Sequence, residues 1–109
     1  MIAIIDYGVG NLFSLKCSLD KIGADSVVTG DKNIIKNADR IILPGVGAFG
    51  DAARKLRESG LFDVVIEEAK LGHPILGICL GMQMLFERSY EYGVHEGLGL
   101  LKGEVVAME

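Results

Sequence analysis

The sequence predicts a doubly wound α/β fold: a mostly parallel sheet with helices on both faces. Three observations carry this. Short apolar runs near residues 2–5, 26–29, 40–43 and 74–78 alternate with stretches whose apolar residues recur at helical spacing. The runs at 2–5 and 74–78 are apolar on both faces, as strands of a buried parallel sheet are. Of the 15 glycines, about twice the usual share, seven fall in three clusters, each at the end of a strand.

Taken in order, Ile2 to Ile5 is the first strand, ending at Asp6. The turn Asp6-Tyr7-Gly8-Val9-Gly10-Asn11 follows, and Asn11 caps a helix over 12–22. That helix carries Leu12, Leu15, Leu19 and Ile22 on one face, and Gly23 ends it. Cys17 lies off the stripe, as a small packing residue. Ser26 to Thr29 is a second strand. Asp31 to Asn37 holds one helical turn around Ile34 and Ile35. Arg40 to Leu43 is a third strand, stopped by Pro44. After a glycine loop at 45–50, a helix is predicted over 51–59, and another over 61–71 with Leu61, Val64, Val65 and Ala69 at helical spacing. A fourth, fully buried strand spans 74–78 and turns at once into a helix carrying Leu80, Met84 and Leu85. Residues 89–97 read as a polar loop, and 98–108 as two short strands broken at Gly103. Crossovers between parallel strands are right-handed. The three glycine clusters, 6–11, 45–50 and 77–81, therefore share the rim beyond the strands' carboxyl ends, where such sheets place their sites.

The composition narrows the function. A chain of 109 residues holds one small domain with one core. With 50% hydrophobic and 24% charged residues it reads as a soluble globule. The net charge is -4 without a basic patch, which argues against nucleic acid. No apolar run approaches the ~18 residues that span a membrane. The first residues lack the basic region of a secretory signal, so the cytoplasm is the expected compartment. Cys17 and Cys79 form no disulfide framework or zinc spacing, so neither metal nor cofactor is expected.

The chemistry points to Cys79. Gly77-Ile78-Cys79-Leu80-Gly81 is Gly-x-Cys-x-Gly at a strand-to-helix junction, the thiol form of a nucleophile elbow. Such a turn crowds the residues on either side of it, so they must be glycine, and it holds the nucleophile exposed on strained backbone. The helix N-terminus behind it favours thiolate. A lone free cysteine is usually a buried structural residue. The strand, the glycine pair and the helix together favour the nucleophile.

Gly45-Val46-Gly47-Ala48-Phe49-Gly50 matches Gly-x-Gly-x-x-Gly, and three readings of it stand. A dinucleotide site fits poorly: the motif follows the third strand, and Glu67 and Glu68, at the right distance for a ribose contact, fall in a helix. An oxyanion loop, aiming backbone N–H groups at developing negative charge beside Cys79, fits best. A glycine-rich connection without chemistry lies between. Gln83, one helical turn beyond Cys79 and on the same face, is placed to bind a polar substrate group, although a helix glutamine taken alone is usually just solvated. Glu87, Glu91 and Glu96 read as surface.

A thiol nucleophile needs a base, usually histidine. His73 precedes the strand that ends at Cys79, which puts it roughly 20 Å away on the opposite rim. His95 follows the elbow helix, whose far end stands about 15 Å from the thiol. Neither is placed to serve.

The three motifs together, Asp6-Tyr7-Gly8-x-Gly10-Asn11-Leu12, Pro44-Gly45-Val46-Gly47-Ala48-Phe49 and Gly77-Ile78-Cys79-Leu80-Gly81-Met82-Gln83, resemble class I, triad-type glutamine amidotransferases with a flavodoxin-like fold. Within that class they are most similar to the glutaminase subunits of imidazole glycerol phosphate synthase. The resemblance runs through all 109 residues. It implies glutamine hydrolysis by Cys79, with ammonia passed to a cyclase subunit built as a (β/α)8 barrel, in histidine biosynthesis. It further implies an oxyanion hole from the Gly47 and Leu80 amides in the loop of Gly45 and Val46, completed when the Val46–Gly47 peptide flips. Gln83 and Glu91 fit the positions that hold the substrate glutamine. The family's catalytic His-x-Glu belongs to a later segment, so residues 1–109 read as the N-terminal part of one such domain, truncated on the C-terminal side and inactive alone. The alternative from another class is a flavodoxin-like module that binds a phosphate or nucleotide on its glycine loops.

Overall fold

Ile2–Ile5 (β1), Ser26–Thr29 (β2), Arg40–Leu43 (β3) and Ile75–Gly77 (β4) form one all-parallel sheet in the computed structural model, in the order β2-β1-β3-β4. The structure describes residues 1–90 and 92–106. Ile4 pairs with Val28 on one side and Ile42 on the other, and Ile42 pairs with Leu76. This register aligns the carboxyl ends of β1, β3 and β4 on one rim.

Side chains alternate across a strand. Ala3, Ile5, Ile41 and Leu43 join the main core with Ile35, Phe49, Leu56, Leu61 and Val65. Those partners come from α2 (Lys32–Lys36), α3 (Phe49–Glu58) and α4 (Leu61–Lys70). Burying each large apolar side chain contributes about 1.5–3 kcal/mol, so this layer dominates the fold's stability. On the other face Ile4 and Ile42 are buried too, and α1 (Leu12–Lys21) packs over β2 there. Asn11 caps α1 as expected, its side chain accepting from the Ser14 amide at 3.3 Å. The predicted stripe is only half covered: Leu12, Leu15 and Leu19 are half-buried, and Ile22, just past the helix end, is exposed.

The structure corrects several expectations. β4 is an edge strand, with Leu76 58% exposed, rather than a fully buried one. The elbow helix, α5, is a single turn, Leu80–Gln83. The Leu85 N–H bonds the Met82 carbonyl at 3.2 Å, closing the turn tightly, and Leu80, Met84 and Leu85 are buried without further helix. The chain then enters a second sheet, in the order β6-β5-β7, of Phe86–Ser89 (β5), His95–Glu96 (β6) and Leu101–Val105 (β7). Part of the predicted polar loop is thus strand. β7 runs unbroken through Gly103, because an irregularity in its pairing with β5 absorbs the glycine, at φ +129. The Glu87 carboxylate accepts from the Gly103 N–H there, at 3.0 Å.

Candidate functional site

Cys79 stands between β4 and α5 with φ 54 and ψ -122. Its φ lies in the left-handed region, which a side chain makes unfavourable and which persists only where the surroundings enforce it. Two glycines make the turn possible. A Cβ on Gly77 would lie 2.6 Å from Met82 Cα, and one on Gly81 would lie 1.9 Å from the Leu43 carbonyl oxygen. The first contact closes the elbow on itself; the second presses it against the end of β3. Because α5 is one turn long, the field behind the thiol comes from a few N–H groups and not from a long helix dipole.

The elbow is joined to the 45–50 loop by a run of carbonyls. Leu43 O accepts from the Ile78 N–H at 3.0 Å, Pro44 O from the Tyr7 hydroxyl at 2.6 Å, and Gly45 O from the Leu80 N–H at 3.2 Å. Two of these donors flank Cys79 in the chain. The third comes from the loop after β1, whose Gly10 also approaches Pro44: a Cβ there would lie 3.1 Å from Pro44 Cβ. The three glycine clusters thus converge on Pro44 and Gly45. Tyr7 is buried, and burial pushes its phenol far above the usual tyrosine value, keeping it a donor.

The predicted site residues distribute as follows. Cys79 is exposed and lines a cleft of about 280 Å³ with Asn11, Ser14, Leu15, Gly45 and Val46. Gly45 is buried; Val46 and Gly47 are exposed at the tip of the loop, Gly47 with φ +91. Leu80 is buried, and its N–H is occupied by the Gly45 carbonyl. Gln83 is half-buried, its N–H on the Cys79 carbonyl at 3.3 Å, one turn from the thiol. Glu91 lies outside the described residues.

The histidines stand elsewhere. His73 precedes β4 at the amino end of the sheet, and its Nδ1 is paired with the buried Glu68 carboxylate of α4. Reading from the sequence missed this pair; an acidic residue at the end of an apolar helix, five before a histidine, is its only signal. The route to His95 differs from expectation, since no long helix separates it from the thiol. Its ring lies over the first turn of α3, where a Cβ on Gly50 would come 2.6 Å from its Cε1. It lines a separate cavity with Asp51, Arg54, Arg57 and Tyr92. Among the described residues lining the Cys79 cleft there is no histidine. The same ring covers the helix start where a dinucleotide's pyrophosphate would sit, which disfavours that reading of the glycine loop. Among the described residues no cluster of three or more metal-ligating side chains occurs, and no helix is long and apolar enough to cross a membrane.

Comparison with known proteins gives a consistent picture. A family model described as a CobB/CobQ-like glutamine amidotransferase domain matches residues 3–109. A protein of Sulfurimonas denitrificans named imidazole glycerol phosphate synthase subunit HisH is 57% identical over 109 residues, covering 100% of this chain and 53% of the relative. The protein of the same name from Oceanobacillus iheyensis is 59% identical over 105 residues, covering 96% and 52%. The chain spans about half the length of the curated relatives it matches. A crystal structure described as that of a glutamine amidotransferase superposes with a TM-score of 0.80 at 22% identity, covering 97% of this chain and 56% of that one; the likeness is one of fold.

Proposed function

The chain belongs to the CobB/CobQ-like glutamine amidotransferase domain family, and from that premise we propose that it carries the nucleophilic half of a glutaminase site. The Cys79 sulfur attacks the side-chain carboxamide carbon of glutamine. A C–S bond forms and the carbonyl oxygen becomes an oxyanion. The C–N bond then breaks, the nitrogen gains a proton and leaves as ammonia, and water cleaves the thioester to glutamate. The oxyanion is held by the N–H groups of Leu80 and Gly47, and Gln83, one turn beyond the thiol, binds the substrate. Glu91 is proposed for the same pocket on resemblance alone.

The observation that supports this most directly is the backbone of Cys79. A non-glycine residue at φ 54, enclosed by two glycines that cannot carry a Cβ, is strain stored where a nucleophile is presented. The Leu80 N–H, that of the residue directly after the thiol, is bonded to Gly45 O. The active state therefore requires the Gly45–Val46 peptide to turn, one peptide earlier than the Val46–Gly47 flip that the resemblance suggests.

The resemblance of the motifs extends the proposal. The ammonia is delivered to a cyclase subunit with a (β/α)8 barrel, in a heterodimer that makes imidazole glycerol phosphate for histidine biosynthesis, in the cytoplasm. Proton transfer falls to a His-x-Glu pair, a pattern absent from these 109 residues, so the chain alone is inactive. Ammonia release by the full gene product, assayed with its cyclase partner and glutamine, tests the reading. Turnover that survives Cys79→Ala would overturn it.

A further inference from the structure

We infer that Tyr7 is a positioning residue of the oxyanion loop: its hydroxyl anchors the Pro44 carbonyl and so sets which acceptor, Gly45 O or a substrate oxyanion, the Leu80 N–H takes. The inference rests on the glutaminase reading and adds a residue to it.

Three consecutive carbonyls at the root of the loop are tied down, on Leu43, Pro44 and Gly45. The outer two are bonded by the backbone of the elbow, on either side of Cys79. The middle one is bonded by a side chain from a different strand's loop. When the Gly45 carbonyl leaves the Leu80 N–H, one tie of the three is released. The other two must hold, or the loop moves as a whole and its N–H groups lose their aim. The Ile78–Leu43 tie belongs to the β3–β4 edge and holds the strand end. The tie that holds the loop itself is Tyr7.

The packing agrees with this. A Cβ on Gly45 would lie 2.9 Å from the Tyr7 hydroxyl oxygen, 2.9 Å from the Gly81 nitrogen and 3.2 Å from Leu80 Cβ. Gly45 is therefore clasped between the phenol on one side and the elbow on the other. Turning a peptide in so narrow a slot needs a residue without a side chain and a fixed point next to it. Tyr7 is 6% exposed, so its ring alone would serve as core filler and a phenylalanine would do as well. The hydroxyl is what the filler reading leaves unexplained.

The test compares two reagents on the full gene product. Glutamate γ-semialdehyde, the aldehyde analogue of glutamine, adds the Cys79 thiol across its carbonyl. A C–S bond forms, and the tetrahedral oxygen is either held as the oxyanion or takes the thiol proton. Iodoacetamide alkylates the same sulfur by displacing iodide and places no oxyanion. In Tyr7→Phe the semialdehyde should bind at least tenfold more weakly, while the iodoacetamide rate at Cys79 stays within twofold of the parent. Unchanged semialdehyde affinity would make Tyr7 filler and overturn the inference alone. A parent protein that takes iodoacetamide but forms no semialdehyde adduct would overturn the glutaminase reading and this inference with it. If Tyr7→Phe does not fold, replacing Tyr7 by 3-fluorotyrosine, near in size and a stronger donor, decides instead: a shift in semialdehyde affinity of twofold or more at constant alkylation rate supports the inference, and no shift overturns it.

Discussion

The Leu43 carbonyl oxygen lies 1.9 Å from the point where a Cβ on Gly81 would stand. Both partners are backbone, so neither can swing aside. Gly81→Ala must push the elbow off the end of β3, and overpacking of this kind costs about 3 kcal/mol. Gly47→Ala is the matched control. Its Cβ would meet nothing within 4 Å, and only the positive φ penalises it, by about 1 kcal/mol. Urea midpoints should rank the parent above Gly47→Ala and Gly47→Ala well above Gly81→Ala. Equal midpoints for the two variants would mean the elbow is not seated on β3.

The strain at Cys79 makes a second prediction with opposite signs for stability and activity. Glycine occupies φ 54 without the penalty that a side chain incurs. Cys79→Gly should therefore match or exceed the parent in stability, by up to about 1 kcal/mol, while glutaminase activity vanishes. Cys79→Ala should lose activity equally and gain nothing in stability. If Cys79→Gly melts several degrees lower than Cys79→Ala, the turn is not strained.

A third prediction concerns the far rim. The Glu68 side chain is 2% exposed and His73 Nδ1 is its partner. His73→Ala strands a buried carboxylate. Such losses reach several kcal/mol when both partners are buried; with His73 35% exposed, about 2 kcal/mol is the expected size. Glu68→Gln, which keeps a hydrogen-bonding group, should lose less. Thermal melts measure both. Because the pair lies at the amino end of the sheet, kcat for glutamine should be unaffected in whatever protein remains folded. A drop in kcat without a drop in melting temperature would give His73 a role that its position denies.

What the sequence made legible, and what it did not, follows the range of the interactions. The strands at 2–5, 26–29 and 40–43 were readable because apolar, β-branched runs bounded by turn residues report burial locally. The crowding at Gly77 and Gly81 was readable because the Gly-x-Cys-x-Gly spacing is itself local. The one-turn length of α5 was not: Leu80, Met84 and Leu85 satisfy a helical pattern, yet Phe86–Ser89 is claimed by pairing with β6 and β7, and only long-range pairing decides that. Tyr7 on Pro44 and His95 on Gly50 join residues 37 and 45 positions apart in number, and nothing in either neighbourhood marks them. The family motif contained Tyr7, but the hydroxyl's partner had to be seen.

The last prediction concerns the 109 residues by themselves. They should be labelled at Cys79 by electrophilic glutamine analogues without turning glutamine over. Attack requires only the thiolate and a place for the oxyanion, and Cys79, Leu80 and the 45–47 loop stand together. Turnover further requires a proton for the departing ammonia and a base for the water that clears the thioester. The sequence has 2 histidines. His73 is held by Glu68 at the opposite rim, and His95 lines a different cavity from the thiol, over the first turn of α3. Mass spectrometry should therefore find one adduct, on Cys79 and not on the exposed Cys17, because the proposed glutamine site adjoins Cys79 alone. Ammonia should stay at the level of a Cys79→Ala control. Steady ammonia release by the purified 109-residue chain that disappears in His95→Ala would show that the α3 cavity opens onto the thiol and that His95 is the base. Release that persists in His95→Ala and His73→Ala but not in Cys79→Ala would call for a base other than histidine. Labelling of Cys17 and Cys79 at equal rates would remove the claim of a built site around the elbow.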